Sequence, residues 1–286
     1  GTVTFAKATS TPQDPSIGVM DAVNRLAEEM AVDVPALLAQ TERVVHGTTV
    51  ATNALLERKG AKVGLLTTEG HRDVLEMREG LKDERYNMRL AAPDALVPRH
   101  LRLGVAERMR AEGVVHAPLD LTSLDAAIDT LKAAEVTSVA VCYLHSYKNS
   151  THEKATRTRL EERMPGVSIS LSSEVFPEIK EYERVSTTVV NAYVRPIVGR
   201  YLHKLGERLK DTGYEGPVLI ILSHGGVTPV AEAVRLAAGT VLSGPAGGVG
   251  GGRHSARMMD VQNLIPFDMG GTSSDISMIV DGEPTL

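Results

Sequence analysis

Residues 264–278, "LIPFDMGGTSSDISM", contain the pattern that decides the interpretation of this chain. An apolar run ends at Asp268, and two glycines and three hydroxyl residues follow before apolar residues alternate again. Glycines let the backbone approach a ligand closely, and free N–H groups beside hydroxyls form a cluster of donors suited to phosphate oxygens. An acid next to such a cluster can hold a divalent metal. The alternative for this stretch alone is an ordinary tight hairpin.

A second glycine-rich stretch, "LSGPAGGVGGG" at 242–252, stands between a predicted strand and a predicted helix. Backbone N–H groups and the helix dipole favour an anion at such a position. No lysine follows the glycines as in a Walker loop, and the acid expected of a dinucleotide-binding motif is missing, so dinucleotide binding is disfavoured. The alternative for Gly247–Gly252 is close packing of a helix.

A third polar stretch, "HGTTVATN" at 46–53, is predicted to join a strand end to a helix start. Polar side chains at that position converge on ligands in parallel α/β sheets. Thr48 or Thr49 could instead be a helix N-cap. The loop "SHGG" at 223–226 is similarly placed, and His224 is either a base or a solvent-facing loop residue.

The rest of the chain alternates buried strands with amphipathic helices, which predicts an α/β fold with a largely parallel sheet and right-handed crossovers. A strand is expected near residues 2–8, and Ser16 is the predicted N-cap of the first helix. Residues 71–120 read as a less regular excursion with a hairpin around Glu112 and Gly113. A long helix is predicted from 182 to 213, with a kink at Pro196.

Residues 152–163, "HEKATRTRLEER", are interpreted as a solvated helix face. No H-E-x-x-H, C-x-x-C or G-x-S-x-G pattern occurs, so zinc hydrolysis and Ser-His-Asp chemistry have no support in the sequence.

The composition narrows the class of partner. The chain has 286 residues, 42% of them apolar, and a formal net charge of -5, which demands neither nucleic acid nor an anionic membrane. No apolar stretch approaches the ~20 residues that span a bilayer. The single Cys142 lies in an apolar run and is predicted to be a core residue of a protein in a reducing compartment, the cytoplasm.

Four segments together resemble the hydantoinase A/5-oxoprolinase family. They are "HGTTVATNALLERKGAKVGLLTTEGHRDVL", "SSEVFPEIKEYERVSTTVVNAYVRP", "LSGPAGGVGGG" and "FDMGGTSSDISMI", in the family's order and along nearly the whole chain. The family includes hydantoin utilization protein A (N-methylhydantoinase A), 5-oxoprolinase and subunits of acetone and acetophenone carboxylases. The resemblance implies an actin-like ATPase fold of the RNase H-like, Hsp70 and sugar kinase superfamily. Two departures from the family pattern are Ser274, where Thr is usual, and His224, where Asn or Asp is frequent.

The resemblance also implies roles for particular residues. Asp268 and Thr272 are expected to be catalytic, with Asp268 holding the metal, Mg²⁺ or another divalent ion. The residues expected to bind the nucleotide are Ser243, Gly244, Gly247, Gly248, Gly270, Gly271 and Ser273. The residues expected to form a substrate or phosphate loop are His46, Thr48, Thr49 and Asn53.

As for activity, the resemblance implies the ATP-binding and phosphoryl-transferring part of a cyclic amide hydrolase of the hydantoinase/5-oxoprolinase type. The alternatives are a ketone carboxylase subunit of the acetone or acetophenone type, and a non-enzymatic, ATP-switched module like actin or Hsp70. A hydantoinase B-like companion subunit and an oligomer are expected, with a cyclic amide or ketone as substrate.

The family pattern further predicts how the chain is divided. Residues 1–190 are expected to form an N-terminal lobe, and residues 191–286 the linking helix and the start of a second, catalytic lobe. A D-x-G-G-T hairpin is expected before Gly1 and an adenosine-binding motif beyond Leu286. The chain is therefore expected to be a fragment that does not hydrolyse ATP by itself.

Overall fold

The computed structural model describes residues 3–11, 13–80, 84, 86–91, 94–269 and 274–284. It confirms the predicted mixed α/β class. In chain order the helices and strands are α1 (Pro15–Glu29), α2 (Val34–Ala39), β1 (Val44–His46), α3 (Val50–Leu56), β2 (Val63–Thr68), α4 (Val74–Met77), β3 (Arg102–Val105), β4 (Arg108–Met109), β5 (Val115–Ala117), α5 (Leu121–Ala133), β6 (Ser138–Cys142), α6 (Thr151–Arg163), β7 (Ser168–Leu171), α7 (Ser172–Val175), α8 (Glu181–Asp211), β8 (Val218–Ile221), β9 (Val227–Pro229), α9 (Val230–Arg235), α10 (Ser243–Met258), β10 (Phe267–Met269), β11 (Ser274–Ile276), β12 (Ile279–Val280) and β13 (Glu283–Pro284). Short 3₁₀ helices occupy Arg99–Leu101 and Ala237–Thr240.

The chain divides into two compact units. Unit 1 comprises Gly1–Lys59 and Ile197–Leu286, and unit 2 comprises Gly60–Pro196. The boundary falls inside α8, which is 31 residues long and contains Pro196 as predicted. The lobes expected for the family, with their boundary near residue 190, stay a prediction.

Unit 2 is built on a four-stranded parallel sheet in the order β3-β2-β6-β7. Every residue of β2 and β6, the two central strands, is buried. Parallel strands covered on both faces need such near-continuous apolar runs, so the prediction of a largely parallel sheet is confirmed. The hairpin expected around Glu112 and Gly113 is the antiparallel pair β4 and β5, with Gly113 at φ +81°.

At the carboxyl ends of these strands, side chains from three segments form a buried polar chain. The Oε2 atom of Glu107, which follows β3, lies 2.7 Å from Nδ1 of His152 on α6. The other carboxylate oxygen accepts a hydrogen bond from the Thr68 hydroxyl at the end of β2. That hydroxyl oxygen accepts in turn from the N–H of Leu144, 2.9 Å away. These bonds compensate the burial of the carboxylate and fix the loops relative to one another.

A second buried cluster surrounds Arg184 of α8. Its Nη1 atom donates to the Tyr143 carbonyl at 2.7 Å and to the hydroxyls of Ser146 and Ser172 at 2.7 and 2.8 Å. Glu153 of α6 accepts from Ser172 Oγ at 2.6 Å and from the Tyr143 N–H at 3.1 Å. Two opposite charges are thus held inside the unit by a shared set of hydrogen bonds.

The interpretation of residues 152–163 as a solvated helix face was therefore wrong for one side of α6. His152 and Glu153 are buried, together with Thr156 and Leu160. The charged composition suggested solvent, but the two polar clusters satisfy these side chains inside the unit.

The two ends of unit 2 lie side by side. The N–H of Ala61 donates to the carbonyl of Tyr193 at 2.9 Å. A Cβ at Gly60 would lie 2.0 Å from the Tyr193 ring, a distance that only glycine avoids. The chain therefore enters and leaves unit 2 at one place.

Unit 1 contains a three-stranded sheet in the order β1-β8-β9, with β1 parallel to β8 and β8 antiparallel to β9. The N-cap of α1 is Asp14, not Ser16 as predicted, and its side chain accepts from the Ser16 N–H at 3.2 Å. The Asp14 carboxylate also binds Arg208 of α8 at 3.2 Å. The strand expected near residues 2–8 is not formed by residues 3–8, which are irregular.

Cys142 is a core residue, as predicted. It is buried at the end of β6, and desolvation raises the pKa of its thiol to about 12. Among the described residues, no helix combines the length and the apolar character that crossing a membrane requires.

Candidate functional site

The glycine-rich stretch at 242–252 is helical in unit 1. The prediction of a strand and a turn before the helix was wrong: a 3₁₀ helix, Ala237–Thr240, precedes it, and α10 already begins at Ser243. Leu242 turns the chain into the helix with a left-handed φ of +61°. Such a conformation is costly for a leucine, so it is sustained by the surrounding contacts.

Those contacts join the start of α10 to the loop at 46–53. The N–H of Leu242 donates to Thr52 Oγ1 at 2.9 Å, and Ser243 Oγ donates to the Thr48 carbonyl at 2.9 Å. Thr48 and Ser243 are both buried. Two of the three stretches predicted to contact phosphate are therefore brought together in one unit.

The glycines of α10 differ in what surrounds them. A Cβ at Gly244 would lie 2.9 Å from Thr49 Cγ2, and a Cβ at Gly252 would lie 2.7 Å from Pro266 Cγ. At Gly247 and Gly248 the nearest atoms, Ile221 Cδ1 and Asp268 Oδ2, would both be 3.6 Å away. Close packing thus accounts for Gly244 and Gly252, whereas a methyl group would fit at Gly247 and Gly248.

Asp268 belongs to β10 and is exposed. Its Oδ2 is the atom that comes closest to the Cβ position of Gly248, which places the third predicted stretch beside α10. Its direct partner across the antiparallel pair with β11 is Asp275. Like charges directly opposite one another destabilise a strand pair, so this arrangement favours a cation.

The carboxylates of Asp268 and Asp275 suit a divalent metal that needs only one or two protein ligands. In the described ranges, no group of three or more histidine, cysteine, aspartate or glutamate side chains is positioned to hold a metal. Mg²⁺ is commonly held by one or two carboxylates and completed by phosphate oxygens and water. The other predicted residues of this stretch, Gly270, Gly271, Thr272 and Ser273, lie outside the described residues.

His46 is held at the end of β1 by Tyr201 of α8, whose hydroxyl lies 2.6 Å from Nε2. Desolvation lowers the pKa of His46 to about 4, and it raises the pKa of Tyr201 to about 12. Near neutral pH both groups are therefore neutral, and the contact is a hydrogen bond between a phenol and a neutral imidazole. A base with so low a pKa is inefficient at neutral pH, so the contact favours a hydrogen-bonding role for His46.

The low pKa of His46 predicts that stability depends on pH. The unfolded chain binds a proton at His46 below pH 6.5, whereas the folded chain does so only near pH 4. The free energy of unfolding should therefore fall by up to about 3 kcal/mol as the pH drops from 6.5 to 4. Denaturant titrations across this range should show a shallower decline in the His46→Gln variant, and an unchanged slope would contradict the assignment.

Other predicted residues lie in the same loop. Thr49 is the N-cap residue of α3 but makes no capping bond with its side chain, while Thr48 Oγ1 accepts from the Val50 N–H at 3.3 Å. Asn53 Nδ2 donates to Thr49 Oγ1 at 3.3 Å. His224 is exposed in the turn between β8 and β9. Its ring accepts from the N–H of Gly226 at 3.2 Å, which agrees with a solvent-facing loop histidine.

Three residues of the site were not singled out from the sequence: Tyr201, Leu242 and Asp275. Tyr201 is 155 positions from His46, and no local pattern connects them. Asp275 could have been found from strand pairing, because the register places it opposite Asp268. The roles of all the residues in this site stay predictions.

Family models cover both parts of the chain. Residues 1–164 match the hydantoinase/oxoprolinase N-terminal region, and residues 184–286 match the hydantoinase/oxoprolinase model. The chain belongs to the hydantoinase/oxoprolinase family. The resemblance drawn from the motifs is confirmed.

Three enzymes or their subunits illustrate the similarity of this hydantoinase/oxoprolinase chain to known proteins. Caprolactamase subunit alpha of Pseudomonas jessenii is 37% identical over 99% of this chain and 41% of its own length. The crystal structure of the ATP-dependent caprolactamase of that organism matches at 36% identity and a TM-score of 0.82, over 97% of this chain and 40% of the other. The nucleotide-free structure of acetone carboxylase, an ATP-dependent enzyme, matches at 30% identity and a TM-score of 0.89, over 98% and 41%.

The chain spans about two fifths of the length of these relatives. Its α/β fold is the one found in the corresponding part of two ATP-dependent enzymes.

Proposed function

We propose that this chain is the ATP-binding and phosphoryl-transferring part of a cyclic amide hydrolase of the hydantoinase/5-oxoprolinase type. The observation that carries the proposal is the convergence of the loop at 46–53, the first turns of α10 and Asp268 within unit 1. Gly248 supports it further, since the atom nearest to its Cβ position is Asp268 Oδ2 at 3.6 Å, and a methyl group would fit there. We also propose that the fold is that of actin-like ATPases.

Each group in the proposed site has a role that its chemistry allows. Asp268, with Asp275 opposite, holds Mg²⁺ or another divalent ion, which when bound neutralises charge on the phosphates. Gly248, beside Asp268, leaves the surface of α10 open to phosphate oxygens, and Gly247 allows the helix to lie against Ile221. Backbone N–H groups at the start of α10 stabilise negative charge, in line with the helix dipole. His46, Thr49 and Asn53 orient the γ-phosphate or the substrate.

The proposed reaction is the ATP-dependent activation of an amide oxygen. ATP, when bound, supplies the phosphoryl group to the amide oxygen. The phosphorylated amide is a better electrophile, so water can attack its carbon and open the ring. The caprolactamase relative supports the cyclic amide class, because its identity to this chain is higher than that of the acetone carboxylase structure.

A ketone carboxylase subunit is the second candidate. The acetone carboxylase structure supports it, since its TM-score of 0.89 exceeds the 0.82 of the caprolactamase structure. In that case the activated oxygen belongs to a ketone and the product is a carboxylate.

We further propose that the complete protein works with a hydantoinase B-like companion subunit in an oligomer. The caprolactamase relative supports this proposal, because that protein is itself the alpha subunit of its enzyme. We propose a cytoplasmic location, which the single buried thiol of Cys142 supports.

Turnover measurements test the proposal. Full-length protein, alone and with the companion subunit, is supplied with ATP and with 5-oxoproline, methylhydantoin, caprolactam or acetone plus bicarbonate. Phosphate release that depends on a cyclic amide is the expected result. Phosphate release only in the presence of acetone and bicarbonate would favour the carboxylase. No phosphate release with any of these substrates would favour a non-enzymatic module.

Gly248→Ala should separate stability from nucleotide binding. Alanine has the higher helix propensity, and a Cβ at Gly248 has room, so the variant is expected to be about 1 kcal/mol more stable. If α10 faces the phosphates, the added methyl group should weaken ATP binding at least about 10-fold, which is about 1.4 kcal/mol.

Gly250→Ala is the matched control for that variant. It lies in the same helix, and nothing would be within 4 Å of its Cβ. It should show the same gain in stability with unchanged affinity for ATP, as measured by calorimetry. Equal affinities in the two variants would remove Gly248 from the site.

A further inference from the structure

Unit 2 contains an open surface cavity of about 670 Å³ at the carboxyl edge of its parallel sheet, and Arg110, Glu112 and His116 in its wall are exposed. It is lined by Arg108, Met109, Arg110, Glu112, His116 and His145 and by Ala111. The arginines and His116 come from the β4 and β5 hairpin, which follows β3, whereas His145 follows β6. Loops at the carboxyl ends of parallel strands are where open α/β sheets bind their ligands. The volume suits a small molecule.

The two arginines in this cavity are bonded to imidazoles. Arg108 Nη1 lies 3.1 Å from His71 Nε2, and Arg110 Nη2 lies 3.0 Å from His116 Nδ1. In the part of the chain that the structure describes, neither guanidinium forms an ion pair with a carboxylate. Two cations in one cavity therefore keep their charge available to a ligand.

These contacts also settle which imidazole nitrogens carry protons. A guanidinium can only donate, so His71 accepts at Nε2 and His116 accepts at Nδ1. Neutral His116 consequently presents its Nε2–H as a further donor. Desolvation, together with the charge of Arg108, lowers the pKa of His71, which keeps that ring neutral beside the arginine.

Nearby acids do not neutralise the two arginines. The carboxylate of Glu107 is bonded to Thr68 and His152, and that of Glu181 is bonded to Arg184. Glu112 lines the cavity, and it forms no ion pair with any residue that the structure describes. It is therefore the one lining carboxylate, set against two guanidinium groups and two imidazoles.

The backbone of His145, the second histidine of the cavity, is strained. His145 has a left-handed φ of +56°, and its Nδ1 atom lies 3.4 Å from the Tyr147 hydroxyl. The buried bonds of Tyr143 and Leu144 to Glu153 and Thr68 immediately precede it and hold the chain in place. Strain of this kind persists where the surroundings fix a side chain in a set position, as at many ligand sites.

We propose that this cavity binds a small oxyanion, a carboxylate or a phosphate, between Arg108 and Arg110. Guanidinium groups match the planar geometry of such groups with paired N–H donors, and His116 adds another donor. The site lies in unit 2, whereas all residues proposed to bind ATP are in unit 1. The inference therefore does not depend on the proposed function.

Calorimetry on nucleotide-free full-length protein tests the proposal, with inorganic phosphate and succinate as the two probes. At least one probe is expected to bind the natural protein. Arg108→Gln and Arg110→Gln should each weaken that binding at least about 10-fold, because each removes charge-assisted hydrogen bonds. Binding of phosphate alone would assign a phosphate-bearing ligand, and binding of succinate alone a carboxylate.

Two further variants protect the test against a folding defect or a different site. Glu112→Gln removes the opposing charge and should tighten binding about threefold, by roughly 0.6 kcal/mol. Arg89→Gln, an exposed arginine of unit 2 that does not line the cavity, should leave binding unchanged. The proposal is overturned if neither probe binds, or if Arg108→Gln and Arg110→Gln bind as the natural protein does.

Discussion

Full-length protein carrying Asp268→Asn is expected to lose at least about 100-fold of its ATP-dependent turnover, because the variant removes a charge proposed to hold the metal at the phosphates. The variant should still fold. Asparagine relieves the repulsion from Asp275 across the strand pair, so stability should stay the same or rise by about 0.2–1 kcal/mol. Phosphate release and denaturant unfolding, measured on one preparation, should show a large loss of activity without a loss of stability.

Asp281→Asn is the matched control. Asp281 is exposed between β12 and β13 and has a left-handed φ of +53°, which asparagine accepts readily. The Asp281→Asn variant has the same change of charge as Asp268→Asn and should keep the ATP-dependent turnover of the natural protein. Full activity in Asp268→Asn would sink the assignment of this carboxylate.

Arg184→Met is expected to lower the free energy of unfolding by about 3–5 kcal/mol. Arg184 is fully buried, and its removal breaks its ion pair with Glu181 and takes a donor from the Tyr143 carbonyl. It also leaves the buried Glu153 without the positive charge to which Ser172 links it. Methionine fills much of the volume, so the loss should come from the unpaired charge. Urea unfolding, followed by circular dichroism, measures the difference.

The control for this variant is Arg163→Met on α6. Arg163 pairs with Asp125 at 2.9 Å and with Asp129 at 2.7 Å near the surface, and removing such solvent-screened pairs should cost far less stability. Adding Glu153→Gln to Arg184→Met should restore part of the lost stability, since the uncompensated charge is then absent. If Arg184→Met cost as little as Arg163→Met, the buried cluster would not be a source of stability.

Regular periodicity is what made the larger elements predictable. The buried runs of β2 and β6 indicated a parallel sheet, and α8 was predicted at 182–213 against the observed Glu181–Asp211. The turn at Glu112 and Gly113 carried its own local signal. Each of these features depends on residues that are close in sequence.

Features that depend on tertiary contacts could not be predicted. Glycine disfavours a helix by about 1 kcal/mol per position, yet α10 forms through its glycines because Thr49, Ile221 and Pro266 pack beside it. The charged face of α6 looked solvated because the groups that satisfy Glu153, such as Ser172, are 19 positions away.

For the site, the three stretches were found from local composition, but the way they meet was not. Leu242 and Thr52 are 190 positions apart, and Thr48 and Ser243 are 195 apart. The contact between His46 and Tyr201, with its effect on both pKa values, likewise needed the fold.

The adjacent ends of unit 2 have a consequence for how such a protein could have arisen. Because Ala61 and Tyr193 are hydrogen-bonded neighbours, the first and last segments of unit 2 meet, although the last one is part of the continuous helix α8. Insertion of one gene segment into another is tolerated when the termini of the inserted piece meet in this way. Unit 2 therefore has the adjoining chain ends that an inserted module requires.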